Sequence, residues 1–297
     1  MKSQETHLPN QETLYSFIHE ANHQDTLVFI HGNMGSSMHF EALFNDFKDN
    51  YNIHAIDLRG FGKSSYHNPI KTIDDLSLDL KRYVKAHQLT NVIFVTHGTG
   101  LLPALRFTLD NKRYVKSLIA FSPCPISGLP IRRRRFFGLM PSKGYIHRLD
   151  SMKKHVAPME KNKQKQQRWI LKKLVNELFF NLTQPSQTLM DKYIDTIIAQ
   201  RNLAEFNLAA ARFNIFFDDN GVIKGSDEAK LLNLPILFIH GKDDAVMPYQ
   251  NSYFNKKHVP NAAIYVIEEA GYFAFLDNQK AATSEMKKHL ASLKDAS

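Results

Sequence analysis

The residues with the clearest chemical potential sit in short, glycine-punctuated runs. These are His31-Gly32-Asn33-Met34-Gly35, Asp57-Leu58-Arg59-Gly60-Phe61-Gly62-Lys63-Ser64, Thr96-His97-Gly98-Thr99-Gly100, Gly241-Lys242-Asp243-Asp244 and Ala270-Gly271-Tyr272-Phe273. Gly60 and Gly62 lack the rest of a dinucleotide fingerprint, and no Walker-type lysine loop is present, so a nucleotide site is not indicated. Cys124 is the only cysteine, which excludes a disulfide framework and a cysteine-based zinc site. As a nucleophile Cys124 would need a lowered pKa and a base, and no base accompanies it. A small packed hydrophobe is its expected role, and Ser122 has the same location and the same weakness. No metal-ligand cluster is evident, so no metal or other cofactor is expected.

These runs acquire meaning from the elements that must hold them. Six short apolar segments read as buried strands: Leu27–Ile30, Ile53–Ile56, Val92–Val95, Leu118–Phe121, Ile236–Ile239 and Ile264–Ile267. Each is apolar on both faces, as in a parallel sheet covered by helices. A further strand is expected near Leu14–Ile18. Between strands, residues 72–87 place Leu76, Leu80, Tyr83, Val84 and His87 on one helical face, with Thr72 as N-cap. Alternating strands and helices predict an α/β fold with right-handed crossovers. The alternation stops between Phe121 and Leu234, a gap too long for a loop. Helical spacing returns at Leu171–Leu178, at Met190–Ile198 and over 203–217, which Asp218-Asp219-Asn220-Gly221 would end. The expected division is a core of residues 1–125 and 230–297 with a helical cap at 126–229.

The composition is that of a globular chain: 43% hydrophobic and 23% charged over 297 residues. The first ten residues are polar, and no apolar run reaches the roughly 18–20 residues that span a bilayer, so a soluble cytoplasmic protein is expected. The net charge of +9 is concentrated in residues 131–173, which hold 14 Lys or Arg and only Asp150 and Glu160 as acids. A solvated cap surface is the simplest reading of that basicity. An anionic membrane surface, with Phe136 and Phe137 as apolar anchors, or an acidic protein are the possible partners. Nucleic acid is not expected, because no recognition module accompanies the charge.

Ligands on open α/β sheets bind beyond the carboxyl ends of the strands, where the glycine runs fall. Their order and spacing resemble the α/β-hydrolase fold family, in particular its capped, esterase-like members, over residues 14–125 and 230–293. The resemblance implies a mostly parallel sheet flanked by helices and assigns roles to positions. Asn33 or Met34 and Thr99 would give the oxyanion-hole N–H groups, and Asp244 would be the triad acid. The nucleophile position is Gly98 where the family has Ser, and the base position is Tyr272 where it has His. Thr96 stands at the first glycine of the elbow, while Gly100 keeps the last. His97, beside the elbow, is expected to be structural, with a ligand contact or a rescue base as the sharper readings.

Glycine cannot form an acyl-enzyme, and a phenol of ordinary pKa near 10 is a poor base near neutrality. Ordinary Ser-His-Asp hydrolysis should therefore fail. The expected function is binding of a small apolar or carbonyl ligand between core and cap. The alternative is a hydrolase or lyase acting on esters, lipids or related carbonyl compounds through non-standard residues. Asp244, without an imidazole, is expected to contact Tyr272 and to lie in a partly apolar pocket. A third reading is a collapsed pocket, which bulky side chains above Gly98 would favour.

Overall fold

The structure, a computed structural model, describes residues 1–135 and 140–295; Phe136 and Phe137 lie outside them. Eight strands form one sheet: β1 (Lys2–His7), β2 (Thr13–His19), β3 (Thr26–Ile30), β4 (Asn52–Ile56), β5 (Val92–His97), β6 (Val115–Phe121), β9 (Ile236–Gly241) and β10 (Ala262–Ile267). Their spatial order is β1-β2-β4-β3-β5-β6-β9-β10. The β1–β2 and β2–β4 pairs are antiparallel, and every other pair is parallel. A separate antiparallel hairpin joins β7 (Arg132–Arg135) to β8 (Met140–Tyr145).

Every residue of β3, β5 and β9 is buried, which explains their unbroken apolar sequence. Strand β10 departs from that expectation. It is the sheet edge, so several of its residues are partly exposed despite their apolar character. Strand β1 carries no apolar alternation, and it is held by its ladder to β2.

The helices are α1 (Glu41–Phe47), α2 (Ile73–Ala86), α3 (Leu101–Asp110), α4 (Leu149–Gln164), α5 (Arg168–Leu178), α6 (Gln187–Ala199), α7 (Leu203–Ala211), α8 (Gln250–His258), α9 (Ala274–Asp277) and α10 (Gln279–Asp295). Helix α2 starts where its signals place it. Asp75 accepts from the Thr72 N–H at 3.1 Å, satisfying a donor of the first turn. Helix α7 stops at Ala211 rather than running to 217. Asn214 turns the chain: its Nδ2 donates to the Asp218 carbonyl at 2.7 Å, and its Oδ1 accepts from the Phe216 N–H at 3.1 Å.

The order places β3 between β4 and β5, so the chain leaves β3 first to one side and then to the other. The carboxyl ends of β3 and β5 therefore flank a switch point, the usual crevice of such sheets. Helices α5 and α6 pack into the same apolar cluster as the sheet, through Leu171, Val175, Tyr193 and Ile197.

Candidate functional site around the β5 turn

Strand β5 ends at His97 and passes through a single 3-10 turn, Gly98–Gly100, into α3. Gly98 has φ +54°, in the left-handed region that a side chain disfavours. A Cβ built there would collide with Tyr272 Oη and lie 3.3 Å from Cζ of the same ring. The Tyr272 hydroxyl thus occupies the space into which a side chain at position 98 would project. The ring is buried, with centroids 4.3 Å from His97 and 5.2 Å from Phe179 of the segment after α5. Burial pushes the Tyr272 hydroxyl above its ordinary pKa, and the nearby Asp244 and Cys124 push the same way. It remains a protonated phenol.

Two donors fix Tyr272 from below. Its carbonyl accepts from His97 Nε2–H at 2.9 Å and from Ser122 Oγ–H at 2.9 Å. Burial holds His97 down at about 4, so the ring is neutral and carries its proton on Nε2 toward the carbonyl. The ring also stacks on Phe273 at 4.7 Å. His97 therefore acts here as a positioning residue through contacts within the chain, in line with the structural role expected of it.

The loop after β3 is similarly occupied. The Asn33 N–H donates to Thr99 Oγ1 at 2.8 Å, and the Met34 N–H donates to Gln200 Oε1 at 3.1 Å. Gln200 follows α6, and its Nε2 donates to Asn33 Oδ1 at 2.8 Å and to Asn202 Oδ1 at 2.9 Å. Lys163 Nζ donates to the Gln200 carbonyl at 2.6 Å. A side-chain amide oxygen from another part of the chain sits where a ligand oxygen would meet the Met34 N–H. Met34 itself has φ +58°.

Asp244 differs from its sequence-based reading. It was expected to lack an imidazole, yet His240 Nε2 lies 3.1 Å from its Oδ2. Its Oδ1 accepts from the Val246 and Met247 N–H groups, both at 2.8 Å. The carboxylate is caged by donors rather than set in an apolar pocket, and no hydrogen bond joins it to Tyr272 among the described residues. His240 Nε2 also faces the Met247 carbonyl at 2.8 Å, and Nδ1 faces Ser252 Oγ at 2.7 Å. Two acceptors at Nε2 place the proton there, leaving Nδ1 to accept from serine. Sequence reasoning missed both His240 and Gln200. A histidine closing a buried strand was the available signal for the first, and the second carried none.

Two further candidates, Cys124 and Thr96, are buried. Cys124 is fully buried, and burial pushes its thiol up. Thr96 is buried with no partner for Oγ1. The basic segment is partly consumed internally. Lys163 is buried against Glu160 at 3.1 Å, and Arg168 pairs with Asp191 at 3.1 Å and with Asp195 at 2.5 Å. A cleft of about 620 Å³ opens away from Gly98, between the β2–α1 side of the sheet and α6. Tyr15, Phe17, Met38 and Phe44 supply its apolar wall, and Lys63 and Lys192 its cations. No helix among the described residues is long and apolar enough to cross a membrane.

Comparison with known proteins gives these arrangements a setting. Residues 25–279 match the family model described as alpha/beta hydrolase fold. A Haemophilus influenzae protein named "Putative esterase/lipase" is 23% identical over 276 residues, covering 89% of this chain and 82% of its own length. The chain is 24% identical to the Arabidopsis thaliana "Probable lysophospholipase BODYGUARD 1", of which it spans 56%. Among solved structures, an esterase from Exiguobacterium antarcticum superposes with a TM-score of 0.73 at 18% identity, covering 99% of this chain and 100% of that one.

Proposed function

The chain belongs to the α/β-hydrolase fold family, and we propose that it is a member that binds a small ligand without hydrolysing it. The observation that carries the non-hydrolytic part is Tyr272 Oη filling the space above Gly98, which collapses the pocket at that point and leaves ligand binding to a separate cleft. With no side chain at position 98, no acyl intermediate forms there, and a protonated phenol takes no proton from water. The oxyanion-type N–H groups of Asn33 and Met34 are already engaged by Thr99 and Gln200. In this reading Gly98 and Tyr272 replace the family's nucleophile and base.

Binding then belongs to the cleft between the core (1–125 and 230–297) and the cap (126–229). Its volume of about 620 Å³ suits one small molecule. Its aromatic wall suits an apolar body, and Lys63 suits a single carboxylate or carbonyl oxygen. Lys63 lies over the Tyr15 ring at 4.7 Å and has no carboxylate partner among the described residues. Titration with a fluorescent medium-chain fatty acid tests this. One molecule should bind per chain, and Ala199→Trp, which fills the cleft, should weaken binding at least tenfold. Absence of saturable binding, or binding unchanged in Ala199→Trp, would overturn it.

The second reading is ester hydrolysis through non-standard residues. The names of the relatives favour it, as does the His240–Asp244 pair at 3.1 Å. It requires Tyr272 to swing away from Gly98.

A further inference from the structure

Three ligand-type side chains converge away from the glycine turn, where β2, β4 and α2 meet. Glu20 follows β2, His54 lies on β4, and His87 closes the end of α2. His54 is level with Val28 and with Phe94 of β5, so the cluster is two strands away from β5 and well before its terminal turn. One carboxylate oxygen and one ring nitrogen from each histidine lie within 4.8 Å of one another. His54 Nε2 is 3.4 Å from Glu20 Oε1, with the histidine fully buried and the glutamate 58% exposed.

The hydrogen-bond directions decide what His54 offers to this cluster. The Gln4 carbonyl can only accept, and Ser16 Oγ lies 3.5 Å from it as donor. Tyr83 Oη donates to Ser16 Oγ at 3.0 Å. The Tyr83 oxygen is left to accept from His54 Nδ1–H, 2.8 Å away. The His54 proton is therefore on Nδ1, and Nε2 presents a bare lone pair. That nitrogen is buried and has no hydrogen-bond partner. It faces a carboxylate, so two electron-rich atoms meet with nothing between them. A cation resolves this arrangement. Protonation of His54 is the competing resolution, and the zinc titration below separates the two, because a proton would leave no metal-dependent rise.

We propose that Glu20, His54 and His87 form a binding site for a divalent cation of zinc type. Two imidazoles and a carboxylate are a zinc donor set, and three protein ligands leave a fourth position for water. For metal–ligand bonds of about 2.0–2.1 Å, a tetrahedral edge is about 3.3–3.4 Å, and the His54–Glu20 separation is 3.4 Å. The outer contacts are those a metal site uses. Tyr83 fixes the His54 tautomer, and Thr6 Oγ1 at 2.9 Å from His87 Nε2 leaves Nδ1 as the nitrogen His87 would turn to the ion. A bound ion would clamp the end of α2 to the antiparallel side of the sheet.

The test is zinc titration of the full chain after chelator treatment, read by calorimetry and by thermal unfolding. The wild type should bind one zinc ion and gain about 5 °C in Tm at a hundredfold excess over Kd. Glu20→Gln and His87→Ala are preferred to a change at the buried His54, which would disturb the core. Glu20→Gln should fold with its metal-free Tm nearly unchanged, His87→Ala with a modestly lower one for its lost contacts to Tyr83 and Thr6, and each should lose the zinc-dependent rise. The proposal is overturned by a wild type without the rise, or by either variant retaining it, which would place the ion elsewhere among the chain's 14 histidines.

Discussion

Position 98 and position 272 form one unit, because the hydroxyl of the second fills the place of a side chain on the first. Glycine relieves two penalties there: the left-handed backbone and the collision with Oη. The backbone term alone is about 1–2 kcal/mol for a residue bearing Cβ. Gly98→Ala should therefore destabilise the protein by about 2–4 kcal/mol, combining strain with overpacking. In a Tyr272→Phe background the hydroxyl is gone, and the same change should cost only about 1–2 kcal/mol. Urea denaturation of the four proteins gives the coupling energy. A coupling near 1 kcal/mol or above is expected, and strict additivity would show that the two residues do not share the space.

At the scale of elements, the end of β5 is tied to the loop after β10 by the neutral His97. This bond has a pH signature. The folded-state pKa of His97 is about 4, below the ordinary histidine value near 6.5. The unfolded chain therefore binds the proton more readily, and stability rises with pH across that interval. The contribution is fully present above about pH 6.5, falls as pH drops, and levels off below the folded pKa near 4. Between pH 7 and 5 the loss from this one group is about 2 kcal/mol. His97→Phe should flatten that part of the stability profile in urea melts at the two pH values. An unchanged slope in the variant would mean that His97 titrates normally in the folded protein.

At the scale of the whole molecule, the sheet was largely legible because fully buried parallel strands read as unbroken apolar runs. The Thr72 start of α2 was legible because capping is a local signal. Strand β1 was not, since its residues are mostly exposed and polar and only its pairing with β2 makes it a strand. Helix α4 was hidden by its lysines and by Pro158 within it. For the candidate site, positions 98 and 272 stood out through the resemblance, which leads one to expect Ser and His there. The way they close on each other did not, because it depends on contacts between residues far apart in the chain. The same holds for Gln200, which reaches the β3 loop from α6, and for Glu20, His54 and His87, which no spacing connects.

The most direct measurement is hydrolysis of short- and medium-chain p-nitrophenyl esters by the wild-type protein, with Asp244→Ala in parallel. A glycine at the turn, a buried phenol above it and an occupied β3 loop predict rates indistinguishable from buffer for both proteins. Turnover well above buffer in the wild type and lost in Asp244→Ala would contradict that account and place a working nucleophile elsewhere in the site.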